Sequence, residues 1–496
     1  MTSVPPPYLK PKLGRLCEGE PLRVLDLFSG CGGWSCGLDA VNGGGGFRTI
    51  GGVERDHKAR ASHHTNFGRV GPYVSGTDVR ERSLLYASLQ EAFPGEELDE
   101  IVDVVVASPP CQLFSRVGRG KLRSLSEQGR DAEKGREHNL FEDALEIIRD
   151  LRPLAVALEN VKEYIRFRGQ NVAEEVRSRL EGWSSASRAD EQPHEVRYSA
   201  LYGLLNAVWY GIPQIRERVV ILGVHESLRV SPRFPQPVTD YRLPSGYVTS
   251  RHQTAQLQLL ENHAEVITQP ARGLPQAPSV GEALADLPVR PGWTESFSEP
   301  ERPVPYPGPA ATEYQRQMRE WPGFTASDLV HGHRTRTLMR DYETFARMRP
   351  NDGYREAHSI AKRRFQEALQ SSESPPDPDT EEWEEMRAAF VPPYPLEKFH
   401  DKWRKLSFGL PSHTLTAHLA HDCYSHIHYD SHQGRTITIR EAARLQSFPD
   451  GFVFEGGMNA AYRQIGNAVP PLMARAVGEV LMACLRDGAG LEPSDA

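Results

Sequence analysis

Two features of the sequence predict a two-part α/β protein. Between residues 23 and 224, short and nearly continuous Val/Ile/Leu runs alternate with stretches of helical period. That is the signature of a mostly parallel, doubly wound sheet covered on both faces by helices. After His225 the alternation gives way to Pro-, Gly- and Arg-rich sequence up to about Lys405, which predicts a second, smaller and irregular domain.

Taken in order, residues 1–22 begin Pro-rich and read as an N-terminal tail. Residues 23–28 form the first strand, which runs into Ser29-Gly30-Cys31-Gly32-Gly33 and a helix from Trp34 towards Val41. Further strands are expected at 49–54, 102–107, 154–158 and 219–223, with helices at 56–67, 83–93 and 140–151. Residues 225–435 make up the second domain. Within it, 371–385 carries seven acidic residues, three prolines and no basic residue, and reads as a solvated linker or surface insertion. Regular pattern resumes in 436–484, with a strand at 436–439, a helix at 440–446 and a last helix after Pro470-Pro471; 485–496 is a tail.

Composition narrows the function. The chain has 496 residues, 39% hydrophobic and 25% charged, enough for two or three packed domains. Its mean hydropathy of -0.52 and the lack of an apolar run approaching ~18 residues argue against a membrane span. Six cysteines without C-x-x-C spacing point to a reduced, cytoplasmic setting rather than a disulfide framework. The net charge of -8 excludes a basic coat for nucleic acid but not a local basic groove.

The glycine loop after the first strand invites a dinucleotide reading, since glycines let backbone approach a ligand and a helix N-terminus offers free N–H groups. Ser35, however, stands where G-x-G-x-x-G needs its third glycine, and no Gly-Lys-Ser/Thr follows. Glu54 ends the next strand, where a carboxylate can hold a ribose diol, and Asp78 is placed for an adenine amino group. Together these features suggest a nucleoside cofactor without a pyrophosphate.

The strand 102–107 ends in Ser108-Pro109-Pro110-Cys111-Gln112-Leu113-Phe114-Ser115. A cysteine past the carboxyl end of a parallel strand lies where open α/β sheets bind ligands, and two prolines fix the backbone that presents it. Residues 112–137 hold seven basic residues, among them Arg116, Arg119 and Lys121, against four acidic ones, with four glycines. A glycine-hinged basic loop suits a lid over a phosphate backbone. Glu159-Asn160-Val161 ends the next strand, and burial behind an apolar run would raise the Glu159 carboxyl pKa. Arg216 and Arg218 alternate at the start of the strand at 219–223, so both side chains can converge on one site, or else pair with Glu217 and its neighbours.

In combination these segments resemble the DNA cytosine-5 methyltransferases. The resemblance rests on six blocks in family order: residues 26–33, Pro110-Cys111-Gln112, Glu159-Asn160-Val161, Gln214-x-Arg216-x-Arg218, 440–449 and 463–471. It implies the S-adenosylmethionine-dependent methyltransferase fold, with a target-recognition region in 225–435 and C-terminal blocks that return to the catalytic domain. It also implies that S-adenosylmethionine is bound by Phe28, Gly30, Gly32, Glu54, Asp78, Asn467 and Val469. Cys111 is then the nucleophile towards cytosine carbon 6, Glu159 the group on N3, and Arg218 with Arg216 the holders of the O2 side. Gln112, Ser115, Arg116, Arg119 and Lys121 would contact double-stranded DNA, whose target base must swing out of the stack. The basic stretch 331–366, nine Lys/Arg against four Asp/Glu, is a second candidate for DNA contact.

The resemblance further implies a prokaryotic-type enzyme acting as a monomer, with a cognate restriction endonuclease or other defence proteins as possible companions. Two departures stand out: Ser108 replaces a glycine often found before the prolines, and Cys31 sits inside the cofactor loop. The histidines of 413–432 match no metal-binding spacing, so no metal is expected. Two other readings are tRNA cytosine-5 methylation, whose Cys-Phe-Thr signature is missing, and a catalytically dead DNA-binding scaffold, against which the intact cysteine and cofactor loop argue.

Overall fold

The structure, a computed structural model, describes residues 6–110, 139–165, 171–182, 196–247, 249, 270–290, 303–397 and 402–491. Cys111 and the DNA-contact candidates Gln112, Ser115, Arg116, Arg119 and Lys121 lie outside the described residues.

Seven strands form one sheet: β1 (Leu22–Leu27), β2 (Phe47–Val53), β3 (Val74–Gly76), β4 (Val104–Ala107), β5 (Ala155–Val161), β6 (Tyr198–Asn206) and β7 (Glu217–His225). Their order is β3-β2-β1-β4-β5-β7-β6. The first five are parallel to one another, and β7 runs antiparallel to both β5 and β6. The four residues of β4 are all buried, as an all-Val/Ala strand covered on both faces must be. This is the methyltransferase fold the sequence led us to expect. Its consequence for the site is geometric. The carboxyl ends of β1, β2, β4 and β5 share one edge of the sheet, and the antiparallel β7 brings its amino end, with Arg218 opposite Val161, to that same edge.

The described residues divide into two compact units. The first comprises 1–277, 452–455 and 468–496; the second comprises 278–451 and 456–467. The first division thus falls after Ala277 rather than at 224, because residues beyond β7 fold back on the turn after β6. Thr239 Oγ1 donates to the Val208 carbonyl at 2.8 Å, and Trp209 Nε1 donates to that of Tyr241 at 3.2 Å.

Three expectations are corrected. The N-terminal tail contains a helix, Leu9–Glu18, that is fixed to the sheet's opposite edge. Its Lys12 ammonium is fully buried and donates to the carbonyls of Leu151 and Arg152 at 2.9 and 2.8 Å, and Arg15 pairs with buried Asp103 at 2.7 Å. Residues 436–439 are not a strand. Thr436 makes an isolated bridge to Ile427, and Thr438 caps the helix Ile439–Leu445 in a capping box with Glu441. The last helix, Pro471–Gly488, continues into the supposed C-terminal tail.

In the second unit, Phe345, Met348, Tyr354, Ala357, Ile360, Trp403 and Ile427 form a core beneath the helix Tyr354–Ser371. Of the two readings of the acidic segment, the structure fits the surface insertion rather than the linker. Thr380 caps a helix, Glu381–Ala388, whose Trp383 meets Phe365 edge-on at 5.2 Å. Acidic Glu381, Glu382 and Glu384 occupy its first turn, where the helix dipole favours them. A buried ion-pair network holds the block around the helix Ile439–Leu445. Arg444, fully buried, reaches Asp450 at 2.6 Å and Asp286 at 2.9 Å, while Arg435 grips Glu441 through two bonds of 2.7 Å.

One apolar helical stretch, Met458–Gly488, is long enough to cross a bilayer, but it comprises two helices and 67% of its most apolar part is buried in protein.

Candidate active site

The loop after β1 has a left-handed backbone at three alternate residues: Phe28 (φ 55°), Gly30 (φ 55°) and Gly32 (φ 102°). Only glycine adopts this cheaply, and at Phe28 it stores about 1–2 kcal/mol of strain. The loop is tied across to β2 through Glu54, which accepts from Gly30 N at 3.0 Å and Asp56 N at 2.7 Å. Burial raises the Glu54 pKa, and these backbone donors partly offset that. Asp78 follows β3, the neighbour of β2. Its carboxyl is held low chiefly by hydrogen bonding to Arg80, whose Nε donates at 2.9 Å. Burial pushes the Cys31 thiol up, so this second cysteine stays neutral.

Beneath the loop runs a largely buried polar chain with no signature in the residue order. Tyr73 OH lies 2.6 Å from His63 Nδ1, His63 Nε2 lies 3.0 Å from Ser35 Oγ, and Ser35 Oγ donates to Asp26 Oδ2 at 2.8 Å. Because the Ser35 proton is committed to Asp26, Ser35 can only accept from His63 Nε2–H, which leaves Nδ1 to accept from Tyr73. Asp26 Oδ1 and Ser29 Oγ are buried with no hydrogen-bond partner among the described residues. Such orphaned atoms beside a glycine loop fit a ligand with an ammonium and hydroxyls, and S-adenosylmethionine carries both.

Two other glycines of this region serve the chain itself. A Cβ on Gly33 would lie 2.2 Å from the Val469 carbonyl oxygen, and one on Gly37 would lie 2.3 Å from that of Pro471. The helix Gly33–Leu38 is therefore packed directly against the C-terminal return, and Val469 is buried there. Asn467 is the exposed last residue of the helix Met458–Asn467, in the second unit.

At the ends of β4 and β5, Asn160 Nδ2 donates to the Pro109 carbonyl at 3.2 Å, two residues before Cys111. Trp34 Nε1 donates to Ser108 Oγ at 3.1 Å. Buried Glu159 meets Arg218, whose Nε lies 2.7 Å from Oε1. Arg216 instead donates to the Ala468 carbonyl at 3.0 Å. Glu217 points away from both arginines, to Lys162 at 2.7 Å and to Thr249. The two arginines thus serve different partners, one at the Glu159 carboxylate and one at the C-terminal return. Asn160 stood within a block and Ser108 stood out as a departure, but nothing in the sequence paired Ser108 with Trp34 or Asn160 with Pro109, because a polar pairing across the sheet leaves no local periodicity.

Among the described residues no group of three or more His, Cys, Asp or Glu side chains is arranged to hold a metal ion. In the histidine-rich stretch, His413 and His426 stack at 4.0 Å, and burial pushes the pKa of both down.

A sheet of this order, with a strained glycine loop at β1 and a carboxylate–guanidinium pair at β5 and β7, defines a methyltransferase. The chain belongs to the C-5 cytosine-specific DNA methylases, whose family model matches residues 22–272 and 309–483. It is 32% identical to M.OihORF3336P of Oceanobacillus iheyensis over 478 residues, 94% of this chain and 96% of the relative. To the type II methyltransferase M.AgeI of Thalassovita gelatinovora it is 29% identical, over 94% of this chain and all of the relative. A crystal structure described as a DNA modification methyltransferase encoded within a prophage (E. coli) shares the fold, with a TM-score of 0.57 at 20% identity, covering 94% of this chain and 99% of that one.

Proposed function

We propose that the chain methylates carbon 5 of cytosine within a short sequence of double-stranded DNA, through a transient bond from Cys111 to carbon 6 of a base swung out of the helix. Carbon 5 of cytosine is a poor nucleophile. Addition of the Cys111 thiolate at carbon 6 moves electron density to carbon 5, and Glu159, hydrogen-bonded to N3, disperses the charge that develops on the ring. Arg218 holds Glu159 in place and faces the O2 side. Loss of the carbon-5 proton then expels Cys111 and restores the aromatic ring.

S-adenosylmethionine, when bound, supplies the electrophilic methyl group. Glu54 is suited to its ribose hydroxyls, Asp78 to its adenine, and the loop of Phe28, Gly30 and Gly32 to its sulfonium end, with Val469 packed beside that loop; Asn467 is assigned to the cofactor by the family resemblance alone. Arg116, Arg119, Lys121, Gln112 and Ser115 are assigned to DNA. The relatives named as type II methyltransferases support a role as the modification partner of a restriction endonuclease.

The observation that carries this reading is the pairing of Glu159 with Arg218 at the sheet edge where β4 leads to Cys111. Protein expressed in a methylation-free host should leave 5-methylcytosine at one short motif, read by bisulfite sequencing. Label transferred to tRNA and not to duplex DNA would overturn it.

A further inference from the structure

We infer that Trp34 and Ser108 form a joint between the cofactor loop and the strand that delivers the nucleophile, making both positioning residues for methyl transfer. The inference rests on the reading of Cys111 given above. Trp34 opens the short helix that follows the glycine loop and is 2% exposed. Its indole has one donor, Nε1–H, and that donor is spent on Ser108 Oγ.

Ser108 is the first residue beyond β4 and three before Cys111 in sequence. Its own N–H donates to the Leu27 carbonyl at the end of β1 at 3.2 Å. Ser108 is thus bonded twice to the β1 strand-loop-helix unit, once through backbone and once through its hydroxyl. The next residue, Pro109, is held from the opposite side by Asn160, and proline fixes the backbone that leads onward. Methyl transfer needs the electrophilic carbon and the target ring aligned within a few tenths of an ångström. Backbone pairing sets the strands' register but not the pitch of the residue leaving β4. A side-chain bond from the cofactor side does set it. A glycine at 108 could offer no such acceptor, so the serine and the tryptophan make sense as a pair.

The test uses the full-length protein, S-adenosylmethionine and a long duplex synthesised with 5-fluorocytosine in place of cytosine, so that every short site is present. The readout is the single-turnover rate of forming the denaturation-resistant adduct. Trp34→Phe and Ser108→Ala should each slow trapping about fivefold, the worth of one buried hydrogen bond, with cofactor affinity held within about twofold. The double variant should be no slower than either single one. Ser108→Thr, which keeps the acceptor, should trap at the wild-type rate. Unchanged trapping in the single variants, or single effects that multiply in the double, would overturn the joint. Failure of the wild-type protein to form any adduct would instead overturn the underlying reading of Cys111.

Discussion

Glu159 and Arg218 meet at 2.7 Å although they are not partners in the β-ladder. Arg218 stands opposite Val161, and Glu159, two residues back on β5, lies on the same face. The contact is therefore a diagonal one, available only because β7 runs against β5. A parallel strand here would carry its amino end, with the arginine, to the far edge of the sheet. The reversal of β7 thus places a cation beside the carboxylate assigned to the base.

The first prediction concerns this pair. Arg218→Met leaves a buried carboxylate without its partner, which costs about 3 kcal/mol when pairing is lost in such surroundings. A lowered melting temperature and a fall in kcat exceeding any rise in KM are expected. Glu159→Gln should retain the fold and cofactor binding and lose most of kcat; full activity in that variant would remove Glu159 from the chemistry.

The second concerns the glycines facing the C-terminal return. Gly37→Ala puts a methyl group 2.3 Å from the Pro471 carbonyl oxygen and 2.5 Å from the Ala474 Cβ, atoms on another helix that must move. Overpacking of this kind costs about 1–3 kcal/mol. Titration calorimetry should show weakened S-adenosylmethionine binding in proportion to the lost stability, because the displaced segment includes Val469. Gly14→Ala, inside the helix Leu9–Glu18 with nothing within 4 Å, should instead raise stability, by up to about 1 kcal/mol, and leave cofactor binding unchanged.

Much of this could be read from residue order alone, and the failures have physical reasons. Strands β1, β2, β4, β5 and β7 announced themselves through short apolar runs that each hold at least one Val or Ile. β6 did not, because Tyr198–Asn206 contains no β-branched residue and finds its place by pairing along β7. β3 is three residues long, too short for any period to show. The helix Leu9–Glu18 was hidden by Lys12 and Arg15, polar residues that are buried because carbonyls and Asp103 receive them. The site blocks were visible as blocks. The cross-sheet bonds that organise them, Trp34 to Ser108 and Asn160 to Pro109, join residues 74 and 51 positions apart and have no signature along the chain.

The third prediction is a pH dependence from Lys12. Burial lowers its pKa to about 7, against a weaker opposing pull from Asp103. Between that value and the ordinary lysine range, the unfolded chain holds a proton the folded protein has released, so stability rises with pH in this window, by up to about 1.4 kcal/mol per pH unit. Denaturant unfolding of wild type and Lys12→Met should give a stability difference that moves in favour of wild type from pH 7 towards pH 10. A flat difference would mean that the ammonium is not buried as described.

A fourth follows from the buried network in the second unit. Arg444 has no exposure and two carboxylate partners, Asp286 and Asp450. Arg444→Met should cost about 3 kcal/mol or more, measured by thermal denaturation. Arg444→Lys should recover only part of this, since an ammonium cannot reproduce two forked contacts.

Mass spectrometry of the protein after incubation with S-adenosylmethionine and duplex DNA containing 5-fluorocytosine tests the covalent role of Cys111. Fluorine at carbon 5 cannot leave as a proton does, so a denaturation-resistant adduct should map to Cys111 and be absent from Cys111→Ser. An adduct on another residue, or methylation of ordinary cytosine DNA by the Cys111→Ser protein at the wild-type rate, would contradict it.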